Sequence, residues 1–199
     1  MMDMNTVSTL RWIKVHLGPL IRQAIQEAKE KSPDLPYTEE WIGGITMRET
    51  GELIARYVSC GLPAGKEVQT LAPLMKGDYG RRSGEMTPQY HGFGFMQIDI
   101  ASFPAFVRSG DWKDAGKVYK MALAVLEDKR KYLKAHFPTL TGSDCERSIT
   151  AAYNCGEGNA GKAIIAGQDV DTRTAGRDYV KAVWAYRNIY LQLDLFKRN

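Results

Sequence analysis

The stretch Thr38-Glu39-Glu40-Trp41-Ile42-Gly43-Gly44-Ile45-Thr46-Met47-Arg48-Glu49-Thr50-Gly51 decides how this chain is read. Thr38 suits a helix N-cap, and Glu39 and Glu40 suit the positive end of the helix dipole. Ile42 and Ile45 mark a buried stripe, and Glu49 follows them at helical spacing, so periodicity returns it to that stripe. Gly51 reads as the stop of the helix. A carboxyl that is both buried and close to the negative end of a dipole is hard to ionise, and both effects raise its pKa. A proton retained near neutral pH makes a general acid. Taken alone, a glutamate in a last helical turn fits equally well a side chain that reaches out to water.

Outward from this helix, Leu20, Ile21, Ala24, Ile25 and Ala28 repeat at helical spacing after Gly18-Pro19, and Pro33 and Pro36 end the run. Between Gly61 and Gly94, frequent glycine and proline predict loops and short strands that line a cleft. His91-Gly92-Phe93-Gly94-Phe95-Met96-Gln97-Ile98-Asp99 reads as one strand, with Phe93, Phe95, Gln97 and Asp99 on one face and two glycines that permit close backbone approach. Val118, Met121, Ala122, Val125, Leu126 and Leu133 predict a structural helix ending before Pro138. Ser143 and Glu146 suggest a capping box for a helix carrying Ile149, Ala152 and Tyr153, stopped at Gly156. Tyr179, Val183, Tyr186 and Tyr190 form a last helical stripe of core type.

The 199 residues suffice for a substantial core, no Pro/Ser/Gly-rich linker divides them, and one domain over 1–199 is expected. With 44% hydrophobic and 25% charged residues the composition is that of a folded protein. A net charge of +4 and pI of about 8.9 favour an anionic polymer without naming it. The basic runs Arg81-Arg82 and Lys129-Arg130-Lys131 are short and read as solvated faces, so nucleic acid is not expected as a partner. Cys60, Cys145 and Cys155 exclude a dense disulfide framework and leave at most one bridge, which sequence does not select. His16, His91 and His136 are too scattered for a metal site or a triad, and no metal or other cofactor is expected. The first twenty residues are interrupted by Asp3, Arg11, Lys14 and His16, so no signal peptide is read, and no stretch reaches membrane-spanning length.

Three segments combine in order: Ile45-Thr46-Met47-Arg48-Glu49-Thr50-Gly51, Gly92-Phe93-Gly94-Phe95-Met96-Gln97-Ile98-Asp99, and Ala151-Ala152-Tyr153-Asn154-Cys155-Gly156-Glu157-Gly158. Together with Gly176-Arg177-Asp178-Tyr179-Val180 they resemble the goose-type lysozymes and the related lytic transglycosylases. The resemblance implies a mainly α, lysozyme-like α+β fold, with a helical domain and a small antiparallel sheet beside a long cleft. It also implies cleavage of a β-1,4-linked amino-sugar polymer. A monomer is the default for an enzyme that must reach a large insoluble polymer, and work outside the cell is expected to follow secretion or release on host lysis. Glu49 matches the family's acid. Tyr153 and Asn154 match the motif beside it, where the Tyr153 phenol is expected to hydrogen-bond the carboxyl. Gln97, Phe95 and His91, on the glycine-bearing strand, match the part that cradles the sugar.

Inverting glycosidases need a second carboxylate to activate water, about 6.5–9.5 Å from the acid. Asp78 and Asp99 match the two aspartates that goose-type lysozymes place across the cleft, whereas lytic transglycosylases usually lack them. Hydrolysis is therefore favoured, with Asp78 and Asp99 handling water. The loop from Gly80 to His91 is longer than the family pattern, which makes Glu85 an alternative to Asp78. As purely structural residues, Asp78 fits a turn and Asp99 fits a helix cap. Peptidoglycan is the expected polymer. Chitin, a transglycosylase reaction and a non-catalytic glycan-binding module are the alternatives.

Overall fold

Apolar residues at helical spacing form helices over most of residues 4–193, which the computed structural model describes. The ends of the expected 1–199 unit, residues 1–3 and 194–199, lie outside the described residues. Helix α1 (Met4–Trp12) passes through a π-helical turn (Ile13–Leu17) into α2 (Gly18–Lys31), with Pro19 in its first turn. The long α3 (Glu39–Ser59) and the short α4 (Glu67–Leu71) lead into a sheet of β1 (Lys76–Gly80), β2 (Gln89–Phe93) and β3 (Ile98–Asp99). Then follow α5 (Pro104–Arg108), α6 (Ala115–His136), α7 (Gly142–Cys155), α8 (Glu157–Ile165) and α9 (Tyr179–Gln192). The strands pair antiparallel in the order β1-β2-β3. This is the mainly helical α+β architecture that the sequence predicts.

The core gathers around α3. Trp41, Ile42, Ile45 and Ile54 are wholly buried, and Trp41 Nε1 donates to Thr150 Oγ1 at 2.9 Å, tying α3 to α7. Two glycines let α9 approach α3 closely. A Cβ on Gly43 would lie 2.6 Å from the Tyr190 ring, and one on Gly44 would lie 2.8 Å from the Val183 carbonyl oxygen. No helix among the described residues is long and apolar enough to cross a membrane.

Several local expectations are corrected. Gly51 does not stop α3, which runs on to Ser59. The residue that ends it is Gly61, at φ 81, the left-handed position that favours glycine after a helix. Gly51 instead leaves room for Met47, whose Sδ lies 2.5 Å from where a Cβ would stand. Thr38 occupies the N-cap in extended conformation, but its buried hydroxyl makes no capping bond. The Ser143–Glu146 capping box does not form. Helix α7 starts two residues earlier, with Thr141 at the N-cap, and Glu146 pairs with Arg187 at 2.9 Å instead.

The segment from His91 to Asp99 is not one strand. It turns back at Gly94–Gln97, with Gly94 at φ 76 and Gln97 at φ 49, so β2 and β3 are neighbours in the sheet. In the run Lys129-Arg130-Lys131, Arg130 is buried and bonded to Glu127 and Asp34, so this is not a wholly solvated face. All three cysteines are free thiols.

Candidate active site

The middle of α3, the sheet, the centre of α6 and the C-terminal end of α7 enclose an open cleft of about 560 Å³. Glu49 projects into it from α3 and is half-buried. Because α3 continues for two more turns beyond Gly51, the helix terminus does not act on this carboxyl. Burial alone raises its pKa, to about 7, against the opposing pull of the Tyr179 hydrogen bond and the Arg48 charge. The Tyr179 hydroxyl donates to Glu49 Oε1. The phenol itself is held neutral, through burial first and the neighbouring carboxyl second.

Tyr179 replaces Tyr153 in the expected role. The Tyr153 hydroxyl donates instead to the Met96 carbonyl at 2.7 Å, fixing the turn between β2 and β3 while its ring lines the cleft. Asn154 Oδ1 accepts from the Ala175 backbone N–H at 2.8 Å, which holds the segment that leads into Tyr179. Arg48 pairs with Asp178 at 2.8 Å beside the same junction. Periodicity assigns Tyr179 to the core stripe of α9, where it is indeed buried. No local signal says that its hydroxyl reaches Glu49.

On the sheet side, Gln97 lies across two paired glycines. Gly77 and Gly92 are opposite one another in the β1–β2 register, and a Cβ on either would stand 2.1 or 2.5 Å from Gln97 Oε1. The Gln97 amide donates to the Gly94 carbonyl at 2.9 Å. Phe95 does not face the cleft. It is wholly buried in the core, and its carbonyl accepts from the Thr50 hydroxyl at 2.9 Å, because the turn at Gly94–Gln97 breaks the alternation that a continuous strand would have kept.

Asp78, at φ 51 in β1, and Asp99, at the end of β3, both line the cleft. Arg82 bridges them, Nη2 to Asp78 Oδ2 at 2.7 Å and Nη1 to Asp99 Oδ1 at 2.6 Å. Asp99 Oδ2 also accepts from the Ser102 backbone N–H and hydroxyl, each at 2.8 Å, the capping arrangement that its position suggests. Burial acts to raise the Asp99 pKa, but the bonds from Arg82 and Ser102 outweigh it and hold Asp99 below the ordinary range. Arg82 is thus exposed, as the basic run suggests, and also lines the cleft.

The loop joining β1 to β2 is folded back on itself. Glu85 accepts from the Arg82 backbone N–H at 2.7 Å and from Gln89 at 2.9 Å, and lies within 2.9 Å of His91 Nε2. These bonds, led by that from Arg82, depress its pKa to about 2. His91 is 1% exposed, and its Nδ1 faces the Asp78 carbonyl at 2.7 Å. Both ring nitrogens face acceptors, which suits the imidazolium form, and its pKa is raised, first by the Asp78 carbonyl and then by Glu85. Glu85 therefore braces the loop, and unlike Asp78 it is not among the residues that line the cleft.

Helix α6, expected to be purely structural, adds Val125 and Lys129 to the cleft wall, and Lys129 pairs with Glu157. Among the described residues, no three His, Cys, Asp or Glu side chains gather as a metal ion would require.

Over 98 residues the chain is 32% identical to a protein named lysozyme g from Cyprinus carpio. Over that stretch the chain is similar to a goose-type lysozyme. The match covers 49% of this chain and 49% of that protein, so the chain spans about half the length of the curated relative it matches. No family model matches the chain.

Proposed function

We propose that this protein is a lysozyme-type glycoside hydrolase that cleaves the β-1,4 linkage between N-acetylmuramic acid and N-acetylglucosamine in peptidoglycan. The observation that carries the proposal is Glu49, a carboxyl in an open cleft with its pKa raised to about 7 and with two aspartates lining the same cleft. Glu49 gives its proton to the glycosidic oxygen as the bond to the anomeric carbon breaks. Water enters from the opposite face, activated on the aspartate side, and the anomeric configuration inverts. Gln97, Tyr153 and Asn154 line the path of the sugar. The resemblance seen in the sequence and the similarity to lysozyme g support the same chemistry.

The net charge of +4 favours the anionic wall polymer over neutral chitin. The protein acts as a monomer outside the producing cell. Mass spectrometry of soluble products from purified peptidoglycan and from chitin oligosaccharides tests this directly. Reducing-end muropeptides are expected. Anhydro-ended muropeptides would make the enzyme a transglycosylase, cleavage of chitin alone would make it a chitinase, and binding without products would leave a glycan-binding module.

A further inference from the structure

One arginine holds both aspartates of the cleft, and it leaves them unequal. Arg82 occupies Asp99 Oδ1 at 2.6 Å, while Ser102 occupies Asp99 Oδ2 twice at 2.8 Å. Asp99 thus has both oxygens engaged. Asp78 gives one oxygen, Oδ2, to Arg82 at 2.7 Å, and its side chain is 66% exposed. No hydrogen bond from a described residue reaches Asp78 Oδ1. A general base is best served by an oxygen that accepts no other hydrogen bond, because each donor lowers its basicity, and within this pair Asp78 Oδ1 is that oxygen among the described residues.

We infer that the two aspartates do not share the water: Asp78 is the base, and Asp99 anchors Arg82, a positioning residue that fixes Asp78. This deepens the hydrolase reading proposed above and rests on it. The planar guanidinium presents donors in a rigid fork, which bridges two carboxylates in one geometry where an ammonium would not. The loop closes the arrangement from its other end. The Arg82 backbone donates to Glu85 at 2.7 Å, Glu85 meets His91 at 2.9 Å, and His91 Nδ1–H donates to the Asp78 carbonyl at 2.7 Å. Asp78 is held through its side chain by Arg82 and through its backbone by His91. The circuit accounts for its sparsely populated φ of 51.

In the reaction, the Glu49 proton passes to the leaving glycosidic oxygen and the bond from that oxygen to the anomeric carbon breaks. The water oxygen bonds to the anomeric carbon as its proton passes to Asp78 Oδ1. Glu49 ends as carboxylate and Asp78 as carboxylic acid. The proton returns from Asp78 to Glu49 through solvent.

The test is cleavage of purified peptidoglycan by wild type, Asp78→Ala, Asp99→Ala and Arg82→Lys, with and without sodium azide, which attacks carbon without needing a base. Asp78→Ala should lose about 10²–10⁴-fold in kcat, the worth of a general base, and azide should restore cleavage with a glycosyl azide product seen by mass spectrometry. Asp99→Ala and Arg82→Lys should lose less, in kcat with KM unchanged, and should form no azide adduct, because the Asp78 carboxylate still repels the anion. An adduct from Asp99→Ala, from both alanine variants or from neither overturns the assignment. Asp78→Asn provides the same test if Asp78→Ala proves unfolded by circular dichroism. Anhydro ends from the wild type alone would instead remove the hydrolase reading, before any variant is compared.

Discussion

The Tyr179 hydroxyl donates a hydrogen bond to Glu49 Oε1 although the two residues stand 130 positions apart, the first turn of α9 meeting the middle of α3. The contact opposes the effect of burial, since a donor to the carboxylate favours its ionised form. The balance leaves Glu49 near pH 7, where it both keeps and releases its proton readily.

Replacing Tyr179 with phenylalanine should therefore raise the Glu49 pKa further. Glu49 acts in its protonated form, so activity falls as pH rises through that pKa, and the alkaline limb of the kcat profile should move upward. A hydrogen bond to a charged group is worth about 1.5 kcal/mol or more, which corresponds to about one pH unit. A limb that moved down would show that the phenol favours the acid form.

Glu49→Gln should abolish cleavage, by at least about 10²–10⁴-fold, while glycan binding measured by calorimetry stays close to wild type. The same variant should be the more stable protein at high pH. The folded pKa of about 7 lies above the ordinary 4.5, so the unfolded chain loses the proton first. Wild-type stability should then be highest below about pH 4.5 and decline until pH passes about 7. The difference at pH 8 is bounded at about 3 kcal/mol. Melting temperatures at pH 4 and pH 8 check it: the two proteins should nearly coincide at the first and separate at the second.

Gly92→Ala should disturb the sugar-facing side of the cleft, because the new Cβ would stand 2.5 Å from Gln97 Oε1. The expected cost is about 1–3 kcal/mol of stability by urea unfolding, with a loss of kcat/KM. Gly80→Ala is the control, since nothing lies within 4 Å of its Cβ position. Equal behaviour of the two variants would remove Gln97 from the explanation.

Glu85→Ala should loosen the loop over residues 80–91. Hydrogen exchange should show lost amide protection there, with helices α3 and α9 unchanged, and kcat should fall. The brace has two pH limits. Glu85, depressed to about 2, contributes above the ordinary carboxylate range and loses its part as pH falls toward that value. His91, raised, contributes below its ordinary pKa and loses its part as pH rises through the raised one. Protection that is flat across both limits would rule the brace out.

Helical spacing alone placed Ile42, Ile45 and Glu49 on one side of α3, and these residues do share it. The error at Gly51 came from reading a glycine as a stop when the space beside it is needed by Met47. Phe95 was misplaced because two-residue alternation holds only while a strand continues, and Gly94 at φ 76 turns this one back. Arg82 is exposed as the basic run suggests, but nothing in a short basic run tells that it also bridges a pair of aspartates.

The sequence by itself determined the mainly helical architecture, and through its resemblance to a family it put forward the small sheet and the acidic candidates Glu49, Asp78 and Asp99. Periodicity, turn residues and motif order are local properties, written in a few consecutive residues each. Only the tertiary structure decided that Tyr179 and not Tyr153 touches Glu49, and that Arg82 ties Asp78 to Asp99. Those contacts depend on how closely α9 packs on the glycines of α3 and on how the β1–β2 loop folds back. Neither is encoded in the spacing of residues within one element.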